Sequence, residues 1–414
     1  MTTSSSQALT PVADEQRVFT GVSHASLWFS LGVGLLVMQV GAYLVPAVGT
    51  QDALFAIVLG SILGSGLLAW TARLGCQTGL SSAGLMHTVY GPAFARLPVL
   101  LNVLQLVGWT TFELVVMRDG TQAILKQVTG AELSAWWPTL LWGGVLTILM
   151  MGSMLTLVRQ FVSRVGLPLV ILSLLWLSWH FVGVLQQQGT QAFIERTGDG
   201  SMGMLSAIDL VIAMPVSWLP LVADYARHGK NSNSTLRGTW VGYAIANAWC
   251  YALGVLVASV SEPGTDLVTA LLLAQGGLLA LGLILLDELD NAYGDVYSSA
   301  VSLSSLGSSI NVRQWGVTAA LMCTALACVL PMHSLEPFLL ILSSVFVPLY
   351  GVIWGSMARS SHEPAKSAVT ASLWLVGVVV FQSITQFAPQ IGATLPTLLL
   401  TFSMALSTQR KKNS

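Results

Sequence analysis

Long apolar runs separated by short polar breaks dominate the chain. The runs fall near 27–47, 53–74, 97–119, 136–157, 164–186, 204–224, 238–260, 267–294, 315–332, 337–357, 367–387 and 391–408. An α-helix needs about 20 apolar residues to cross the hydrocarbon core of a bilayer. Each run therefore reads as one span, and the pattern predicts an all-α membrane protein of about twelve transmembrane helices. The polar connections are shorter than about 20 residues, too short to fold as domains of their own. One transmembrane domain over 25–408 is expected, with a polar tail at 1–24 and a basic tail at 409–414. The first tail is rich in Ser and Thr and carries Asp14, Glu15 and Arg17. It lacks the basic start and apolar centre of a signal peptide and is read as cytoplasmic. The eighth run is the least regular, because it holds Asp287, Glu288 and Asp290, with Asp295 just beyond. The alternative there is a span that ends near Leu286 and gives way to a loop.

Composition supports the bilayer reading. The chain is 54% hydrophobic and 8% charged, against about 25% charged residues in soluble domains. Lipid is the surrounding that needs no polar cover. A net charge of −1 excludes a nucleic-acid partner, which needs a basic face. No obligate protein partner is expected. Lys and Arg in short loops set the orientation. With the amino terminus inside, one side collects 14 of the 17 basic residues, and the other holds only Arg118, Lys126 and Arg196. A miscounted span would spoil that asymmetry. The expectation is a multi-pass protein of the plasma (inner) membrane with both termini cytoplasmic. Cys76, Cys250, Cys323 and Cys328 show no metal-ligand spacing and read as small core residues. His24, His87, His180, His228, His333 and His362 lie mostly near span ends and read as interfacial.

Charge inside an apolar span is costly and faces a cavity or a partner. In the third span Trp109 and Glu113 are four apart and share one helical face. An indole can stack on a flat ring, and a carboxylate can accept two parallel hydrogen bonds from the amidine-like edge of a 4-aminopyrimidine. Arg118 and Asp119 sit nearer the interface and read as a local ion pair. In the sixth span Pro215 and Pro220 bracket Ser217 and Trp218. Proline removes backbone donors, and a broken helix at membrane depth exposes groups that bind substrates and ions. Asp224-Tyr225-Ala226-Arg227 closes that span as a gate or a structural ion pair. In the eighth span Asp287, Asn291 and Asp295 are spaced i, i+4, i+8 along one stripe, with Glu288 nearly on it. Closely spaced buried carboxylates can carry a proton or bind Na⁺. Gly32-Val33-Gly34 interrupts the first span. Paired interruptions in the first and sixth spans are a pointer to a transporter site.

These residues carry a resemblance. Leu101-Asn102-Val103-Leu104-Gln105-Leu106-Val107-Gly108-Trp109-Thr110 resembles the third helix of the cytosine/purine/hydantoin permeases, the nucleobase:cation symporter family. Gly79-Leu80-Ser81-Ser82, the stretch from Asp209 through Pro220, Asp224-Tyr225-Ala226-Arg227 and Asp295-Val296-Tyr297-Ser298-Ser299 are also similar to family segments. The branch that looks nearest is the CytX-type hydroxymethylpyrimidine transporters. The resemblance implies a LeuT-like fold: inverted five-helix repeats over about 25–187 and 203–358, then two extra helices over 367–408. It implies that Trp109 stacks on the substrate, that Glu113 hydrogen-bonds it, and that Ser217, Trp218 and Asn291 complete the site. It implies a cation site on first-helix carbonyls from Gly32 to Leu35 and on an eighth-helix pair matched here by Asp290-Asn291. Asp287 and Asp295 are further coupling candidates. The implied ion is Na⁺ or H⁺, and no other cofactor is expected.

The expected function is cation-coupled import of a small heterocycle, hydroxymethylpyrimidine foremost, by alternating access. Cytosine, a purine or a hydantoin carried by the same family is the nearest alternative. A membrane-embedded enzyme would need a His or a further acidic cluster facing the eighth-span carboxylates, and no His lies at that depth. A channel would need a pore-lining polar repeat.

Overall fold

The computed structural model describes residues 8–132, 134–152, 166–262, 264–307, 310–330, 335–359 and 362–411. Seven described helices are long and apolar enough to span a membrane. They are α3 (Thr50–Thr78), α5 (Arg96–Thr129), α7 (Leu167–Gln188), α11 (Ser232–Val260), α14 (Val312–Val329), α15 (Leu335–Met357) and α16 (Ser367–Phe387). Two more spans are broken pairs: α1 (Gly21–Ser30) with α2 (Leu35–Ala47), bent by 62°, and α9 (Met204–Ser217) with α10 (Leu219–Ala226), bent by 41°. The shorter apolar helices α6 (Trp136–Met150) and α17 (Thr394–Ser407), with α13 (Gly277–Ser305), complete the twelve segments marked by the apolar runs. Short helices α4 (Ser82–Phe94), α8 (Thr190–Ile194) and α12 (Leu267–Leu273) lie in the connections. A two-residue antiparallel pair, His362–Glu363 against Arg410–Lys411, ties the loop before α16 to the end of the chain.

Several boundaries differ from the sequence expectation. The tail is shorter than 1–24, because Thr20 caps α1 in a reciprocal box with Ser23 and the helix starts at Gly21. The eighth segment is not one run over 267–294. Asp266 caps the short α12, Gly276 turns the chain in a left-handed conformation (φ 72°), and α13 runs unbroken from Gly277 to Ser305. All four carboxylates are therefore helical, and the loop alternative falls. The expected end of the fourth run and the start of the fifth lie outside the described residues, as do Arg159, Arg164 and His333.

Helix packing surrounds the two broken pairs. α11 packs on α1, α2 and α3, while α9 packs on α3 and α13 packs on α5. The close approach uses small residues, as membrane helix interfaces do. A Cβ at Gly254 of α11 would overlap the Met38 carbonyl of α2, and one at Gly60 of α3 would stand 2.6 Å from the Val211 Cβ of α9. The polar floor of the bundle is covered by the tail. Phe19 and Lys230 exchange backbone groups with the loop around His228, since Phe19 N donates to His228 O and Lys230 N to Phe19 O, both at 2.9 Å.

Gly254→Ala is expected to cost about 1–3 kcal/mol of stability, since the neighbouring atoms are backbone and cannot yield without a helix shift. A lower Tm of the detergent-purified protein reads this out. Gly144→Ala, where no atom stands within 4 Å of the new Cβ, is the control and should leave Tm level or slightly higher.

Candidate functional site

A broken helix leaves backbone donors and acceptors without intrahelical partners, and in a bilayer they must be satisfied by protein. At the first break, between Ser30 and Leu35, the partners come from α13. The Leu35 N–H donates to Glu288 Oε1 at 2.5 Å, Asn291 Nδ2 donates to the Val33 carbonyl at 3.1 Å, and Ser30 Oγ donates to Asp287 Oδ1 at 2.9 Å. Gly34 permits this approach, because a Cβ there would lie 3.0 Å from Glu288 Oε1. Gly32 faces the other way, with its Cβ position 2.8 Å from the Ala246 Cβ of α11.

At the second break, around Ser217 and Trp218, the partners come from α5. Asn102 Nδ2 donates to the Pro220 carbonyl at 2.9 Å, and Gln105 Nε2 donates to the Ser217 carbonyl at 3.4 Å and to Asn102 Oδ1 at 3.0 Å. Pro220 opens α10, where a missing N–H costs little because first-turn donors have no helical acceptor.

The two breaks and the middles of α5 and α13 enclose one cavity. Trp109, Glu113, Met214, Ser217, Trp218, Glu288 and Asn291 line it, with Leu31, Gly34, Leu36 and Val37 from the first break. Its volume is about 20 Å³, room for roughly one water molecule. Trp109 meets Phe338 of α15 edge-on at 5.2 Å and is tilted against Phe112 at 6.2 Å. Trp218 meets Trp28 edge-on at 6.0 Å. Glu113 is 3% exposed, and its Oε2 has no hydrogen-bond partner among the described residues; Trp109 Nε1 and Asn291 Oδ1 share that condition.

Of the residues singled out in the sequence, Trp109, Glu113, Ser217, Trp218 and Asn291 meet at this cavity. Leu35 takes part through its backbone N–H, and Asp287 lies beside the cavity on Ser30. Gly32, Asp290 and Asp295 do not line it. Asp290 is partly exposed, and Asp295 is buried as an electrostatic neighbour of Glu113. At the first break Asp287, Glu288 and Asn291 of α13 hydrogen-bond to its residues, and Asp290 also interacts with Ser30 there. Glu288 and Ser30 were missed as site residues. The signal for Glu288 was its i, i+3 relation to Asn291, which puts both on one face. Among the described residues no group of three or more His, Cys, Asp or Glu side chains is arranged to hold a metal ion.

Larger cavities lie towards both ends. One of about 510 Å³ opens on the tail side, lined by Pro11, Gln16, Arg227, His228, Tyr297 and Arg313 among others. Another of about 380 Å³ lies at the opposite end, lined by Leu35, Phe112, Asp119, Asp266 and Leu335 among others, and shares Leu36 with the central cavity. Arg118 and Asp119 form the expected ion pair at 2.7 Å. The other expected pair differs: Asp224 Oδ1 accepts from the Ser82 N–H at 2.9 Å, and Arg227 Nε donates to the Asp224 backbone carbonyl at 3.3 Å. His24 and His228 are buried beside Phe19 under the tail, with ring centroids 5.6 and 6.2 Å away. They are not at a lipid interface, because the tail covers them. Burial, and then the Arg227 guanidinium, push the His228 imidazole down to about 4.

Two broken helices meeting at a buried polar cavity define a class, the secondary transporters, in which such breaks form the binding site. The sequence over residues 11–372 matches the family described as permease for cytosine/purines, uracil, thiamine, allantoin. The chain belongs to that family and is a transporter. Comparison with curated proteins returned no match. Among solved structures, it is similar to Mhp1, a nucleobase-cation-symport-1 family transporter, in a closed conformation with bromovinylhydantoin bound. Identity is 14%, coverage is 97% of this chain and 93% of that one, and the TM-score is 0.78. The inward-facing conformation of Mhp1 gives 15% identity, 96% and 91% coverage and a TM-score of 0.75. A Na⁺-coupled sialic acid symporter in a substrate-bound outward-open state gives 10% identity, 99% and 95% coverage and a TM-score of 0.67. The fold is the LeuT-like arrangement of inverted five-helix repeats with two further helices.

The low His228 value carries a pH prediction. Between its ordinary value of 6.5 and about 4, the unfolded chain binds a proton that the folded chain refuses. Stability present above 6.5 is therefore lost as pH falls through that window. His228→Gln should lose less Tm than the wild type between about pH 7.5 and about pH 5, measured by thermal melts of the purified protein.

Proposed function

We propose that this permease imports a small 4-aminopyrimidine, hydroxymethylpyrimidine foremost, by cation-coupled alternating access. It works in the plasma (inner) membrane with both termini in the cytoplasm. The observation that carries the reading is Glu113, a buried carboxylate with an unpartnered oxygen, one helical turn from Trp109 in the same cavity. Trp109 stacks on the pyrimidine ring. Glu113 accepts from the exocyclic amino group, and a hydrogen bond to a carboxylate is among the stronger ones. Trp218, Ser217 and Asn291 close the remaining sides. Coupling to a cation is supported by membership of the permease family and by the likeness to a Na⁺-coupled symporter. Asp287, Glu288 and the first-helix break are the groups offered for it. The cytoplasmic placement of the termini is supported by the basic residues gathered on one side in the loops. Cytosine presents the same amino and ring-nitrogen edge and is named in the family description, which makes it the second reading.

Cells expressing the chain should take up labelled hydroxymethylpyrimidine in a saturable way, above an empty-vector control. Uptake equal to the control sinks the substrate assignment, and stronger competition by cytosine than by unlabelled hydroxymethylpyrimidine favours the second reading. Glu113→Ala should cut uptake at low substrate by about 10–100-fold, the range of about 1.5–3 kcal/mol for a hydrogen bond to a charged group. Trp109→Ala should raise KM by a similar factor, from the about 1–3 kcal/mol of ring stacking.

A further inference from the structure

Among its side chains the central cavity has more unpartnered hydrogen-bond acceptors than donors, and no basic residue lines it. Glu113 makes no hydrogen bond to any described residue and is 3% exposed. Asn291 spends its donor nitrogen on the Val33 carbonyl, and its Oδ1 is left without a partner. Glu288 adds a second carboxylate to the lining, with Oε1 held by the Leu35 N–H. Among the lining side chains, the free donor against these acceptors is Trp109 Nε1. Among the described residues, the ion pairs are Arg17–Asp14, Arg118–Asp119 and Lys126–Glu132. None includes a residue of the cavity. The groups facing Glu113 electrostatically are Glu288, Asp290 and Asp295 of α13 and Cys323 of α14, all acids. The first and sixth segments present Leu31, Gly34, Met214, Ser217 and Trp218 to the cavity, none of them basic. A buried carboxylate without a partner is costly, and a ligand that brings positive charge removes that cost.

We propose that the ligand bound on Glu113 is an aromatic amidinium cation: the 4-aminopyrimidine protonated on the ring nitrogen next to its amino group. The deeper claim rests on reading the cavity as the substrate site. One N–H of the amino group and the N–H of the protonated ring nitrogen donate in parallel to the two carboxylate oxygens of Glu113. The proton enters from solution with the ligand, and no covalent bond changes. The same geometry sets specificity by rejection. A 4-oxo isostere has the same outline but turns a carbonyl towards Glu113, so two acceptors oppose each other and both lose their water.

Binding of matched probes to the purified full-length protein tests this, read by quenching of tryptophan fluorescence and confirmed by calorimetry. The probes are hydroxymethylpyrimidine, its 4-oxo isostere, and a set of 5-substituted 4-aminopyrimidines of graded ring basicity. The amino compound should bind at least about 100-fold more tightly than the oxo isostere, the scale of discrimination by an unpaired buried polar group. Across the set, at a pH above the ligands' own pKa values, affinity should fall about tenfold for each unit by which the ring nitrogen is less basic. Glu113→Gln should shrink the amino-over-oxo preference by about tenfold or more, because an amide accepts and donates without charge. Should that variant fail to fold, the wild-type series decides alone. Equal binding of amino and oxo isosteres, or affinity indifferent to ring basicity, overturns the cation while leaving the substrate site in place. Absence of binding by every probe overturns the site reading and the cation with it.

Discussion

Backbone polar groups have no water to turn to at membrane depth, and the architecture of this permease follows from how it meets that constraint. Two of its spans are interrupted, and each interruption frees carbonyls and amides. The first is closed by α13, through Glu288 on the Leu35 N–H and Asn291 on the Val33 carbonyl. The second is closed by α5, through Asn102 on the Pro220 carbonyl and Gln105 on the Ser217 carbonyl. In an inverted repeat the first span corresponds to the sixth and the third to the eighth. The same device thus appears twice, once in each half, with a long unbroken helix lending side chains to its broken neighbour.

That device also separates structural polar groups from available ones. Asn102 and Gln105 are largely consumed in holding α9 and α10, and Glu288 and Asn291 each commit one atom to the first break. Glu113 and the Trp109 indole nitrogen are left over. They lie about one to three turns further along α5 than Asn102 and Gln105, so one helix supports the break at one level and faces the cavity beyond it. Truncating any of the committed groups would disturb the breaks themselves, whereas Glu113 Oε2 and the Trp109 indole nitrogen have no hydrogen bond to lose.

Much of this was legible in the sequence because it depends on local spacing. Length and hydropathy gave the twelve spans. The four-residue separation of Trp109 and Glu113, Gly32-Val33-Gly34 and the bracket of Pro215 and Pro220 located the interruptions and one wall of the cavity. What stayed illegible depends on contacts between distant segments. Glu288 meets the Leu35 amide across 253 positions, and a backbone amide carries no side-chain signature. The stripe drawn through Asp287, Asn291 and Asp295 was right about one helical face, but tertiary packing chose which end of it meets the first break. The run at 267–294 misled for another reason: apolar residues continue through α12 and α13, and only the left-handed turn at Gly276 separates them. The tail was read as a polar appendage, yet Phe19 pairs with the loop at His228 and lies buried against His24.

The small volume of the central cavity bears on what an affinity measurement means for this protein. At about 20 Å³ the closed arrangement cannot admit a ring, so a ligand enters only a conformation in which the breaks have moved apart. The observed dissociation constant is then the intrinsic one divided by the fraction of molecules that are open. Residues remote from the cavity that favour the narrow arrangement weaken apparent affinity without touching the ligand. Loosening them would sharpen it in the same hidden way.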